Sequence, residues 1–124
     1  MNRSKIAKFG DVLVNFLFSV AYLETKGTYD GFKVSNHVLM HALNKSSFKP
    51  PPRSDKHQRG DYVESIVAEA WGPVMTTEEM VGVLKASISE RDMSNRELSI
   101  EAQIDAFACL LDKIYGLGSD NQLL

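Results

Sequence analysis

The sequence predicts an all-α fold, with about five helices in one domain that spans residues 1–124. Apolar residues recur at intervals of three and four along most of the chain, which is the period of an α-helix. No segment alternates apolar and polar residues in the way that predicts a half-buried strand. With 124 residues, 44% of them hydrophobic, the chain is long enough to bury a core without disulfides or a structural metal.

The first predicted helix runs from about Lys5 to Leu23 and is apolar on nearly every face. A helix of this kind is buried on most sides, either by the core or by a partner subunit. Lys26 and Gly27 mark the loop that follows. The residues that follow the helical period are Ile6, Phe9, Leu13, Phe16, Leu17, Val20 and Leu23, and those that fill the other faces are Val12, Val14 and Phe18.

A second helix is predicted from Ser35 to Leu43, with Ser35 or Asn36 as its N-cap. The segment from Ser46 to Gly60 has no periodicity, and the three prolines at positions 50–52 favour an extended strip. This strip is the basic stretch of the chain. Its basic residues are Lys49, Arg53, Lys56, His57 and Arg59.

Helix formation is predicted to resume at Asp61 and to stop at Gly72-Pro73. Thr76, followed three residues later by Glu79, has the spacing of a capping box that opens a fourth helix.

The last predicted helix begins with the same device at Ser94 and Glu97 and ends at Gly116. Its apolar residues are spaced by four, three, four and three, as expected for one buried face. These residues are Ile100, Ile104, Phe107, Leu111 and Ile114.

Composition narrows the environment and the class of partner. The single cysteine excludes an internal disulfide framework, and no secretion signal opens the chain. The apolar run from Val12 to Leu23 is short for a bilayer and contains Asn15 and Ser19. A cytoplasmic protein without a membrane partner is therefore predicted. The net charge of −2 argues against binding nucleic acid through overall positive charge, so any RNA contact must come from a local patch.

Three carboxylates stand out as candidates for chemistry. Asp11 lies within an apolar helix, and Asp61 and Glu64 are three residues apart on another. Acids on two helices can cradle Mg²⁺, which prefers oxygen ligands and assists phosphodiester cleavage by activating water. A structural explanation stays open for Asp11 and Asp61, because acids are stabilised in the first turn of a helix.

Two segments resemble the catalytic domain of the ribonuclease III family. Phe9-Gly10-Asp11-Val12-Leu13 is similar to the family's Leu-Gly-Asp-Ala-Val stretch at the start of a long central helix. The stretch from Gly60 to Val67 is similar to its second motif, an Asp, two residues, and then Glu-Ala-Leu-Ile-Gly. The match spans roughly residues 6–71 and is closest to short, single-domain, archaeal-type relatives that lack a double-stranded-RNA-binding domain.

The resemblance implies a helical bundle that cleaves double-stranded or structured RNA as a homodimer, with magnesium, or manganese as an alternative. It implies that Asp11, Asp61 and Glu64 are both the catalytic acids and the metal ligands. The family commonly carries a glutamate four residues before its first aspartate, and here that position is Ala7. The chain therefore has three of the family's four acids.

Expectations also follow for individual positions. Val14 and Phe18 are candidates for the dimer interface, and Trp71 is expected in the core. Gly10 would allow another helix or RNA to come close. The basic strip would contact phosphates of an A-form duplex near the bond that is cut.

Two alternatives remain open at this stage. Ala7 and the acidic net charge are compatible with a non-catalytic ribonuclease III-like subunit that binds structured RNA or another protein. An all-α nucleotide pyrophosphohydrolase would also hold magnesium on helical carboxylates. Its paired E-x-x-E motifs are poorly matched by Glu78, Glu79, Glu97 and Glu101.

Overall fold

The computed structural model describes residues 3–120, and within them it consists of five α-helices and their connections. In chain order these are α1 (Arg3–Lys26), α2 (Asn36–Lys45), α3 (Lys56–Ala70), α4 (Thr77–Ile88) and α5 (Arg96–Asp120). Within the described residues, β pairing is limited to an isolated bridge between Trp71 and Met75. The all-α prediction is confirmed.

Helix α1 packs against α3 on one side and against α4 on another. Helix α2 packs against α3 and α5, and α5 closes the bundle against α4. The centre of the core is aromatic: the ring of Phe18 lies 4.8 Å from that of Phe32 and 6.0 Å from that of Phe107. Fully buried side chains from all five helices belong to the same core, among them Leu17, Leu39, Leu43, Val67, Met80, Leu84, Leu110, Leu111 and Ile114.

By length and composition alone, residues 4–26 of α1 could cross a membrane. The packing gives this apolarity another explanation, because Leu13, Val14, Leu17, Phe18 and Ala21 all belong to the core. The prediction that Val14 and Phe18 form a dimer interface is wrong, since both side chains are fully buried within the same chain.

Helix α3 begins five residues earlier than predicted. Asp55 caps it by accepting a hydrogen bond from the backbone N–H of Gln58, and the Gln58 side chain accepts one from the N–H of Asp55. This capping box lies directly after the proline-rich segment and turns residues 56–60 into helix. Lys56, His57 and Arg59 therefore belong to the start of α3 and not to an extended strip.

The last helix differs from prediction at both ends. Its first turn is capped by Asn95, whose side chain accepts from the N–H of Leu98, so the Ser94–Glu97 box is wrong. The helix also continues through Gly116 to Asp120. By contrast, the Thr76–Glu79 box and the Ser35 cap are present as predicted.

Candidate active site

A cavity of about 290 Å³ lies where α1, α3 and the start of α2 meet. It receives Asp11 from α1, and Asp61 and Glu64 from α3. The structure thus brings the three predicted acids to one cavity although more than fifty residues separate the first from the last in sequence. The other residues that line it are Ser4, Ala7, Lys8, Lys33, Asn36 and His57.

The structural explanation for Asp11 and Asp61 does not hold. Asp11 is the ninth residue of α1, and Asp61 is the sixth residue of α3. The stabilisation of acids by a helix N-terminus fades after the first turn, so the helix dipole accounts for neither position. Their placement is better explained by the cavity that they share.

Gly10 allows α1 and α3 to approach closely enough to bring these acids together. A Cβ atom at this position would lie 2.1 Å from the carbonyl oxygen of Glu64 and 2.9 Å from its Cβ. The first contact is with backbone, which cannot move aside without shifting α3. The prediction that a neighbouring helix comes close at Gly10 is confirmed, and that neighbour carries Glu64.

Glu64 is the most buried of the three acids, with 5% of its surface exposed. The pKa of its carboxyl is raised to about 8. Burial is the main cause, and a hydrogen bond with Asp11 and the negative charges of Asp11 and Asp61 contribute to the same rise. In the metal-free protein Glu64 is therefore mostly protonated at neutral pH and donates to the Asp11 carboxylate.

Asp11 has the opposite electrostatic balance. The ammonium of Lys33, 2.5 Å from Asp11 Oδ1, is the main cause that lowers the pKa of this carboxyl. Partial burial opposes that effect, whereas the hydrogen bonds with Glu64 and Asn15 add to it. Asp11 is thus an ionised carboxylate that already holds one positive charge at the edge of the cavity.

Asp61 is more exposed to solvent than Asp11 or Glu64, and its carboxylate faces His57. The Nε2 atom of His57 lies 3.5 Å from Asp61 Oδ2, one helical turn away. The Nδ1 atom of the same ring is 3.2 Å from the amide nitrogen of Asn36, so α2 helps to orient the imidazole. Gly60 leaves room for the Asn36 side chain in this position, because a Cβ there would lie 2.1 Å from Asn36 Oδ1.

The residues fit a magnesium ion by their chemistry. Carboxylate oxygens on two helices are the ligands that Mg²⁺ takes, with water completing its shell. The Lys33 ammonium beside Asp11 is a stand-in cation, which indicates that the cavity favours positive charge. Within residues 3–120 no three acidic, histidine or cysteine side chains are gathered tightly enough to form a metal centre as they stand. Metal binding would therefore require side-chain adjustment around the acids.

The five predicted RNA-binding residues do not share one environment. Lys49 is exposed on the loop after α2, and Lys56 and His57 are exposed on the first turn of α3. Arg53 is exposed with a left-handed backbone (φ 57°) and lines a second cavity, which shares Ser4, Ala7 and Asp61 with the first. Arg59 instead holds the loop in place, because its guanidinium donates to Ser54 Oγ and Asn44 Oδ1.

Sequence reasoning missed two groups of functional candidates. Lys33 and Asn36 reach the cavity from the connection before α2 and from its first residue, and no motif marks either of them. An exposed apolar strip on α1 was also missed, formed by Phe9, Val12 and Phe16 at 48%, 66% and 52% exposure. The prediction of Trp71 as a core residue is wrong, since it is 40% exposed and its ring lies 5.6 Å from that of Phe9.

Comparison with known families assigns the chain to one of them. Comparison with curated proteins gives no match. The family model described as Ribonuclease III matches residues 4–117, which is nearly the whole chain and includes both acidic motifs and nearly all of the five helices. The chain therefore belongs to the ribonuclease III family.

Proposed function

We propose that this protein is a magnesium-dependent endoribonuclease that cleaves double-stranded or structured RNA as a homodimer. The observation that carries the proposal is the convergence of Asp11, Asp61 and Glu64 on one cavity in a chain of the ribonuclease III family. Family membership supports a ribonuclease-type activity. The metal, the duplex substrate and the dimer are the further steps proposed here.

Asp11, Asp61 and Glu64 would hold the magnesium ion, or manganese in its place. Bound metal supplies the Lewis acidity that makes water a nucleophile at neutral pH and offsets charge on the departing oxygen. Each protein group has a separate task. Asp11 brings a full negative charge, Asp61 offers a carboxylate near solvent, and Glu64 must release its proton before it can act as a ligand.

The basic residues near the cavity would contact the RNA backbone. Arg53 lines a cavity together with Asp61, and His57 lies 3.5 Å from Asp61. Lys56 is exposed on the first turn of α3, and Lys49 is exposed on the loop before it. An A-form duplex is recognised mainly through its phosphates and 2′-hydroxyls, for which such residues are suited. Arg59 would act indirectly, because its hydrogen bonds to Ser54 and Asn44 fix the loop that presents them.

The exposed apolar strip on α1 would form the dimer contact. Phe9, Val12 and Phe16 are spaced by three and four residues, so they lie along one side of the helix, and Trp71 extends the surface from the end of α3. Large exposed apolar side chains grouped in this way mark interaction surfaces. A second copy of the same strip is the partner that a symmetric homodimer provides.

Cleavage of duplex RNA in magnesium tests the proposal. The wild type should cut, whereas Glu64→Gln and Asp11→Asn should lose at least a hundredfold in rate, as losses of charge-stabilising catalytic groups do. Glu69→Gln is the matched control, because Glu69 is exposed on the same helix and lies outside the cavity. If all four proteins behave alike, the chain is better explained as a non-catalytic member of the family.

A further inference from the structure

Lys33 is held over the cavity by an anchored backbone. On one side of it, the backbone N–H of Phe32 donates to Ser19 Oγ at 2.8 Å. On the other side, the N–H of Val34 donates to Asn15 Oδ1 at 2.7 Å. Both acceptors belong to α1, and Asn15 lies one turn beyond Asp11. The residues that flank Lys33 are thus fixed to the same helix that carries the first acid.

The Lys33 side chain itself is much less restrained. It is 71% exposed, and its ammonium reaches Asp11 Oδ1 at the rim of the cavity. An ion pair between side chains as exposed as these contributes little to stability, so the ammonium can leave at low cost. The anchored backbone would keep it close to the cavity when it does so.

The ammonium of Lys33 acts on more than one acid. The side chain of Lys33 lines the same cavity as Asp11, Asp61 and Glu64. Its hydrogen bond to Asp11 is the main cause that lowers the pKa of that carboxyl, and its charge also lowers the pKa of Glu64 on the neighbouring helix. A cation that interacts with two of the three acids stands near the position where a divalent ion would have to sit. Lys33 and a metal ion would therefore compete for the oxygens of Asp11.

We propose that Lys33 is a resident cation that occupies the magnesium position beside Asp11 in the metal-free protein and sets how tightly the divalent ion binds. This inference rests on the proposed function, because it concerns the same three acids. On this view Lys33 compensates part of the negative charge of the empty site. Asp11 would release the ammonium when a divalent ion binds.

Metal binding to Lys33→Met tests the inference without reference to nuclease activity. Calorimetric titration of the full chain with Mn²⁺ should show roughly tenfold tighter binding to the variant, because a positive charge a few ångströms from the ion is removed. Lys33→Arg keeps the charge and should bind like the wild type. Thermal unfolding in increasing Mg²⁺ gives a second readout, and the variant should reach half of its stabilisation at a lower concentration.

Lys85→Met is the matched control. Lys85 forms a comparable exposed ion pair with Glu24 at 3.0 Å, and Glu24 is about 20 Å from Asp11 along α1. Its loss should leave Mn²⁺ affinity unchanged. Equal or weaker binding to Lys33→Met would overturn the role of Lys33 while leaving the magnesium proposal intact. No binding to wild type or variant would overturn the magnesium proposal, and this inference with it.

Discussion

Replacing Glu64 with glutamine should change how the stability of the protein depends on pH. The pKa of Glu64 is raised from 4.5 to about 8 in the folded protein. A carboxyl with a raised pKa binds its proton more tightly in the folded than in the unfolded chain. Stability is therefore lost progressively as the pH rises from about 4.5 to about 8, and the full cost is present above that range.

The size of this effect follows from the two pKa values. Each pKa unit between the unfolded and folded values corresponds to about 1.36 kcal/mol. The difference between 4.5 and about 8 therefore gives a cost of about 5 kcal/mol for ionising Glu64 in the folded protein. Glutamine has nearly the same shape and cannot ionise, so it avoids this cost. The free energy of unfolding of Glu64→Gln, relative to wild type, should rise by several kcal/mol between pH 4.5 and pH 8.5.

Urea unfolding at a series of pH values, with a chelator present and at one protein concentration, measures this directly. Asp11 has a lowered pKa, so its contribution is lost at acid pH and is common to both proteins. Glu69→Gln controls for the loss of an exposed charge on α3. Parallel stability curves for wild type and Glu64→Gln would refute the reasoning, because they would mean that Glu64 ionises in the fold without cost.

Three further predictions concern the metal, the helix contact and the dimer. Below pH 8 the apparent affinity for Mg²⁺ should fall about tenfold for each pH unit, because Glu64 must lose its proton before it can bind the ion. Calorimetric titration at pH 6, 7 and 8 measures this dependence. An affinity that does not change with pH would exclude Glu64 as a ligand. Gly10→Ala should lower the free energy of unfolding, measured in urea, by about 3 kcal/mol, because the added Cβ would collide with the backbone of Glu64. Gly82→Ala is the control and should raise the free energy of unfolding by about 0.5–1 kcal/mol, because there is open space around Gly82 within α4. Phe16→Ser should weaken the dimer, so that sedimentation shows more monomer than for the wild type. Tyr29→Ser, which changes an exposed residue in the loop after α1, should leave the dimer unchanged. Equal dimer stability in the two variants would exclude the α1 strip as the interface.

Much of the fold could be predicted because its helices carry local signals. The apolar periodicity and the Ser35 and Thr76 caps defined four of the five helices to within a few residues. The predicted start of α3 is wrong because the three prolines favour an extended segment, although the Asp55–Gln58 capping box follows shortly after them and starts the helix. Gly116 is a typical helix stop, but glycine within a helix is tolerated where packing continues on both sides of it, as it does here at Ile114 and Leu117.

The candidate site was predictable only in its acidic part. Asp11, Asp61 and Glu64 lie in motifs that can be read along the chain, but Lys33 belongs to a connection whose position depends on hydrogen bonds to Ser19 and Asn15. The prediction of the dimer interface was wrong for a related reason. When a helix is apolar on every face, its sequence does not show which face the other helices will cover. In this structure Val14 and Phe18 lie on the covered face and are buried in the core.

The contact at Gly10 has a consequence for comparing relatives of this protein. A chain could keep all three acids and still lose the site if a larger residue replaced this glycine, since its side chain would force α1 and α3 apart at Glu64. The residue before the first aspartate therefore reports on whether the two acidic segments can meet at all. Inspection of that single position separates relatives that retain the geometry of the pocket from those that retain only its side chains.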